Sequence, residues 1–158
     1  MMKVNLRLLP PGGISVEGTE EASIIDISDP VADVSQPVSY QLRVVRAGQT
    51  LVVRGSLETG VTLTCSRCLE KFPAPLLVPG FGRELELLGD ESIIDLTGDI
   101  REDIILAIPV KPLCRADCQG LCPICGADRN RKDCGCYRGP ADSPFDKLDR
   151  GLTGNNSK

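Results

Sequence analysis

CRADCQGLCPICGADRNRKDCGC, residues Cys114–Cys136, holds six of the eight cysteines of a 158-residue chain that contains no histidine. The remaining two form Cys65-Ser66-Arg67-Cys68. Thiols at this density are reactive unless they bridge one another or bind metal. Within the run, Gly120-Leu121-Cys122-Pro123-Ile124-Cys125-Gly126 has the form of a metal knuckle. Two intervening residues let a tight turn aim both sulfurs at one ion, and Gly126 allows the backbone to curl back toward them. Cys134-Gly135-Cys136 supplies two more sulfurs across the eight-residue spacer Gly126–Asp133. A structural zinc site takes four tetrahedral ligands, and without histidine the simplest closed site is all cysteine. The first expected site is therefore Cys122, Cys125, Cys134 and Cys136. Cys65, Cys68, Cys114 and Cys118 form a second if the chain before Cys114 folds back, although other pairings of the doublets stay open. The expected cofactor is zinc, one or two ions, with an iron–sulfur cluster as the alternative for an all-thiolate site.

Moving upstream from Cys114, Ile100, Ile104, Ala107 and Ile108 fall on one face at helical spacing. Thr97 or Asp99 is positioned to cap this helix, Glu102 and Asp103 suit its first turn, and Pro109 and Pro112 stop it. Before it the chain is β-rich. Val4–Leu8 and Ile14–Glu17 alternate apolar and polar residues around Pro10-Pro11-Gly12-Gly13, and Gln36–Val45 turns through Ala47-Gly48-Gln49 into Thr50–Leu57. Val61–Thr64 runs straight into Cys65, and a further extended stretch from Phe72 to about Leu88 carries Pro73, Pro75 and Pro79, which mark edge strands or bulges. The expected fold is α+β: an antiparallel sheet with barrel-like closure as an option, one main helix, and a C-terminal cysteine-rich metal-binding loop. The expected segments are a β-rich body over 1–110 ending in the helix, a metal-binding module over 111–138, and a tail over 139–158. In the tail Phe145 and Leu148 could dock as one apolar turn, and disorder is expected over Thr153–Lys158.

The N-terminus shows no signal peptide and no apolar run reaches the length of a membrane span, so a cytoplasmic location with reduced thiols is expected rather than a disulfide framework. Net charge is −4, divided between an acidic body and a mildly basic tail: nine Lys/Arg against sixteen Asp/Glu over 1–110, and nine against six over 111–158. That balance argues against a stand-alone nucleic-acid grip and directs any RNA contact to the cysteine-rich tail.

Enzymatic chemistry finds little footing. There is no histidine for general base catalysis, no phosphate-binding glycine loop and no nucleophile elbow. Asp95, Asp99, Glu102 and Asp103 read as a helix start. Cys118, Cys122 and Cys125 match the spacing of radical-SAM iron–sulfur ligands, but the barrel such enzymes need does not fit in the short chain that follows. Cys65 and Cys68 lack the βαβ context of a thioredoxin-like pair. A thiol redox protein nonetheless remains a third reading, one that requires reactive Cys65 and Cys68.

The order CSRCLEKF (Cys65–Phe72), DIREDIILAIPVKPLC (Asp99–Cys114), DCQGLCPICGADRN (Asp117–Asn130), CGC and PFDKL (Pro144–Leu148) resembles the YceD family, the large ribosomal RNA subunit accumulation proteins of bacteria and plastids. The resemblance covers Cys65 to Leu148, and residues 1–64 share its β-rich character. It implies a role in accumulation of large-subunit ribosomal RNA, through processing or stability, and no established catalytic activity; neither a membrane nor a small-molecule substrate is expected as a partner. It also implies that the cysteine-rich tail is a module grafted on a common body, since some members keep only the Cys65/Cys68 pair. The expected function is a non-enzymatic accessory factor in large ribosomal subunit biogenesis, touching ribosomal RNA, an assembly intermediate or a ribosomal protein. Arg115, Arg129, Arg131, Lys132 and Arg138 are the RNA-contact candidates; alternatively they only offset the negative charge of a zinc–tetrathiolate site. The rival reading is a protein-interaction module whose acidic face binds a basic ribosomal protein or assembly factor.

Overall fold

A computed structural model describes residues 2–27, 30–87 and 92–136. The chain divides into two compact units, Met1–Cys118 and Gln119–Lys158. The apolar turn expected at Phe145 and Leu148, the disorder expected over Thr153–Lys158, and Arg138 lie outside the described residues.

The first unit is organised around one long strand. In chain order its strands and α-helix are β1 (Lys3–Asn5), β2 (Ile14–Glu20), β3 (Ala32–Asp33), β4 (Val38–Ala47), β5 (Thr50–Thr64), β6 (Lys71–Glu86), β7 (Ile93–Asp95) and α1 (Thr97–Ala107), with short 3₁₀ turns at Leu6–Leu8, where the strand expected over Val4–Leu8 ends early, and at Ala22–Ile24. β5 pairs antiparallel with β6 from Thr50 to Thr64. On its other edge it pairs with β4 from Thr50 to Glu58 and with β3 at Thr62 and Leu63. β2 extends the sheet beyond β4. Gly48, at φ +64°, opens the two-residue turn between Ala47 and Thr50, where a primed hairpin turn needs a left-handed residue.

β5 alternates with period two. Leu51, Val53, Leu57, Thr59, Val61 and Leu63 are buried and their neighbours are more exposed. The stretches Thr50–Leu57 and Val61–Thr64, separate in the sequence reading, are one continuous strand through Gly60. Gly60 lets the strand pass beneath the Gln36 side chain, whose amide would collide with a Cβ at residue 60. β6 is an edge strand, as its prolines suggest: Pro73 and Pro75 stand opposite Thr62 and Gly60. The register slips between Gly55 and Leu57, which face Phe81 and Val78, so Pro79 and Gly80 together oppose Ser56 in a bulge. Barrel-like closure does not occur. Among the described residues β2 and β6 do not pair with each other, and the missing N–H groups of Pro73, Pro75 and Pro79 leave β6 a poor template for a further strand.

β1 and β7 form a separate two-stranded sheet that ties the N-terminus to the start of α1. Leu96 N–H donates to the Met2 carbonyl, and Met2 N donates to Thr97 Oγ1. The cap of α1 lies earlier than Thr97 or Asp99. Asp95 Oδ1 accepts from Thr97 N–H at 2.9 Å, and only Asp99 falls in the first turn. Ile100 and Ile104 are buried, with Ala107 and Ile108 packed at the core's edge. The core is aliphatic apart from Phe81, its one buried aromatic among the described residues. Asp99 and Asp103 each bond Arg83 of β6, at 2.8 and 2.6 Å, and Glu102 adds a contact at 3.3 Å, so the acidic cluster fastens the helix to the sheet.

Candidate metal centres

Strand parity delivers the first pair of sulfurs. Cys65 continues the odd-numbered buried series of β5 and is itself fully buried. The connection from Thr64 to Lys71, which pair with each other, is the knuckle. In it Cys65 N–H donates to the Glu70 carbonyl (2.9 Å) and Leu69 N–H to the Cys65 carbonyl (3.0 Å), with Leu69 at φ +62°. Ser66 N–H reaches Pro112 O and Arg67 Nη1 reaches Cys118 O, bringing the chain after α1 back to the knuckle. The Arg67 contact escaped the sequence reading, because nothing in Ser66-Arg67 signals a partner 51 residues away.

The result is a tetrad of Cys65, Cys68, Cys114 and Cys118, whose sulfurs all lie within 4.8 Å of one another. Cys65 and Cys118 Sγ are 3.8 Å apart, and Cys68 and Cys114 Sγ 3.7 Å. Phe72 and Leu113 pack against the cluster. Burial pushes the Cys65 thiol up, but the N–H groups of Cys114, Cys68 and Arg67 outweigh it and bring it down to about 6. Cys114 is pushed up to about 12 by burial and by the Cys68, Cys118 and Cys65 sulfurs. Cys68 is also raised: the Glu70 N–H opposes the shift, but burial and the Cys65 and Cys118 sulfurs prevail.

The second unit repeats the same turn. Leu121 bridges Asp128 as Thr64 pairs with Lys71. Cys122 N–H donates to Ala127 O at 2.7 Å, and Gly126 N–H to Cys122 O at 2.8 Å, with Gly126 at φ +73°. Position for position this is the Cys65 knuckle, with glycine where the first has Leu69. Asp128 Oδ1 accepts from the Asn130 backbone and side chain, and the Arg131 and Lys132 N–H groups donate to Asp128 O, which turns the spacer back. An Asp-x-Asn turn is readable in the sequence and would have found this reversal. Cys134 and Cys136, hinged at Gly135 (φ +63°), complete a tetrad with Cys122 and Cys125, again with all sulfurs within 4.8 Å. The Cys125 and Ile124 N–H groups outweigh burial to lower Cys122 to about 6, while the Cys125 and Cys134 sulfurs, with burial, push Cys136 up to about 12.

A tetrahedron with metal–sulfur bonds of about 2.3 Å has edges of about 3.8 Å, the spacing found between the paired sulfurs of the first tetrad. A disulfide would need about 2.05 Å, and all eight cysteines are free. Four sulfurs this close cannot all ionise alone, which is why each tetrad mixes lowered and raised thiols; a dication removes the conflict. Each tetrad could thus hold one metal ion in a closed site. Among the RNA-contact candidates, Arg115 stands beside Asp117 in the first unit, Arg131 pairs with Asp128 in the second, and Arg129 and Lys132 are exposed on the turn between the second pair of doublets.

Fold and site together define a small, mostly antiparallel β protein with one helix and two four-cysteine clusters able to hold metal. The chain is similar to the YceD family over part of its length: the family model described as "Large ribosomal RNA subunit accumulation protein YceD" matches residues 82–150. That match begins after the Cys65 knuckle. An uncharacterized protein of Mycobacterium tuberculosis is 32% identical over 105 residues, 56% of this chain and 50% of its own length. One from Mycobacterium leprae is 29% identical over 106 residues, 57% of this chain and 48% of that protein. A chloroplastic YCED homolog 1 of Arabidopsis thaliana, whose name carries large ribosomal RNA subunit accumulation, is 26% identical over 152 residues, 71% of this chain and 47% of that protein. The chain spans about half the length of the curated relatives it matches. No solved structure matches it. Among the described residues, no helix is long and apolar enough to cross a membrane.

Proposed function

We propose that this chain is a non-enzymatic accessory factor of large ribosomal subunit biogenesis that supports accumulation of large-subunit ribosomal RNA. The family match over residues 82–150 carries this reading. Zinc, one ion per tetrad, holds the two knuckles in shape: Cys65, Cys68, Cys114 and Cys118 ligate one ion, and Cys122, Cys125, Cys134 and Cys136 the other. Saturated by four thiolates, neither ion keeps an open position for water or substrate, so the metal is structural. The partner is ribosomal RNA within an assembly intermediate. The contact runs through Arg115, Arg129, Arg131, Lys132 and Arg138, with the knuckle of the second unit presenting Arg129 and Lys132 to solvent.

Crosslinking to ribosomal RNA tests the contact. Reversing Arg129, Arg131 and Lys132 to glutamate should reduce the crosslink yield roughly tenfold, since each lost phosphate contact weakens binding independently of sequence. An unchanged yield would favour the rival reading, in which the acidic body binds a basic ribosomal protein. Elemental analysis of protein purified without added metal should find two zinc per chain; iron with visible absorbance would overturn the zinc assignment.

A further inference from the structure

The two tetrads offer the same ligands in different settings. In the first, Cys65, Cys68 and Cys118 are buried, and Phe72 and Leu113 cover the cluster. In the second only Cys122 is buried, while Cys125 and Cys136 are exposed and Cys134 is half-buried. The attachment of the chain differs as well. Among the described residues, no backbone–backbone hydrogen bond reaches residues 133–136; Gly135 N–H bonds only the neighbouring Asp133 side chain. Among the described residues, the sulfurs are what join the Cys134-Gly135-Cys136 strap to its knuckle. Cys136 Sγ stands in contact with the sulfurs of Cys125 and Cys134.

We propose that Cys125 and Cys136 form an oxidation site, at which a hydroperoxide converts the second metal centre to a disulfide and expels its zinc while the first centre stays intact. This rests on the proposed zinc ligation. The exposed Cys136 thiolate attacks one oxygen of hydrogen peroxide, forming a sulfenic acid and releasing hydroxide. The Cys125 thiolate then attacks that sulfur, the S–O bond breaks, and a second hydroxide leaves as the S–S bond forms. Two thiolates lose two electrons in all, and one peroxide becomes two hydroxides. The zinc ion, left with two thiolate ligands in place of four, dissociates. With those sulfurs gone from the site, the turn that carries Arg129, Arg131 and Lys132 loses its closure. The first tetrad escapes because a thiolate must be reached to be oxidised, and burial shields it.

The test uses the full chain, with its zinc content measured first. Hydrogen peroxide is added in the presence of a colorimetric zinc chelator, and disulfides are mapped by mass spectrometry of proteolytic peptides. One zinc per chain should leave roughly tenfold faster than the other, with Cys125 joined to Cys136 and with Cys65, Cys68, Cys114 and Cys118 recovered as thiols. In Cys136→Ser that disulfide should be absent from the peptide map, while Cys65, Cys68, Cys114 and Cys118 are again recovered as thiols. Simultaneous loss of both ions, earlier loss from the buried tetrad, or oxidation only after unfolding would overturn the proposal. Less than two zinc per chain at the outset would instead overturn the metal assignment beneath it.

Discussion

Leu69 holds a left-handed backbone at φ +62°, and the residue is 64% exposed. A side chain with a Cβ is strained there by about 1 kcal/mol, and no burial of this leucine offsets the cost. At the corresponding residue of the second knuckle, Gly126, an added Cβ would meet nothing within 4 Å, so only backbone strain opposes a side chain there. The two positions should respond with opposite signs. Leu69→Gly is expected to stabilise the protein by about 1 kcal/mol, and Gly126→Ala to weaken closure of the second knuckle by about the same amount. Denaturant midpoints read the first and zinc competition the second. Destabilisation by Leu69→Gly would mean that this leucine makes a contact that the free chain does not reveal. The sequence disclosed Gly126 as a turn residue because glycine advertises its freedom. It concealed Leu69, because a leucine gives no local sign of a left-handed backbone.

At the scale of elements, α1 is anchored through charges at its N-terminal half. Arg83 is held by Asp99 and Asp103, with all three side chains a quarter exposed or less. Hydrogen bonds between partly buried charged groups contribute about 1.5–3 kcal/mol each. Arg83→Met should cost about 2 kcal/mol, read from chemical unfolding, because it leaves neighbouring carboxylates facing one another. A cost near zero would place the helix under apolar packing alone. Asp95 adds a pH-dependent element. Its carboxyl is held below the ordinary range by hydrogen bonds from the Thr97 hydroxyl and N–H. A depressed folded pKa contributes stability that is present above the unfolded value and is lost as pH falls through the folded one. Asp95→Asn should therefore flatten the acid limb of the stability–pH curve, and an unaltered limb would count against this cap. The apolar spacing of Ile100 and Ile104 was readable as a helix, whereas Arg83 was not readable as its anchor. Period and capping are local properties; a partner on another strand depends on sheet register.

Over the whole molecule, the first tetrad closes the body by joining the β5–β6 turn to the chain that follows α1. Its ligands come from segments 46 and 53 residues apart. A metal ion held there would favour the folded state by mass action, since the unfolded chain has no preformed site. Cys65→Ser is expected to remove one zinc per chain and lower the melting transition of the β-sheet by about 10 °C. An unchanged transition would show that the hydrophobic core alone holds the hairpin. The amino-acid sequence by itself determined the β-rich body, the single helix, the knuckle turns and the all-thiolate character of any metal site. Those follow from residue periodicity, proline and glycine placement, and the absence of histidine. Tertiary structure alone decided which doublets stand together, that Gly60 lies inside one continuous strand, that the sheet stays open, and that one tetrad is buried while the other is exposed. Each of these depends on contacts between residues far apart in the chain, which no local pattern encodes.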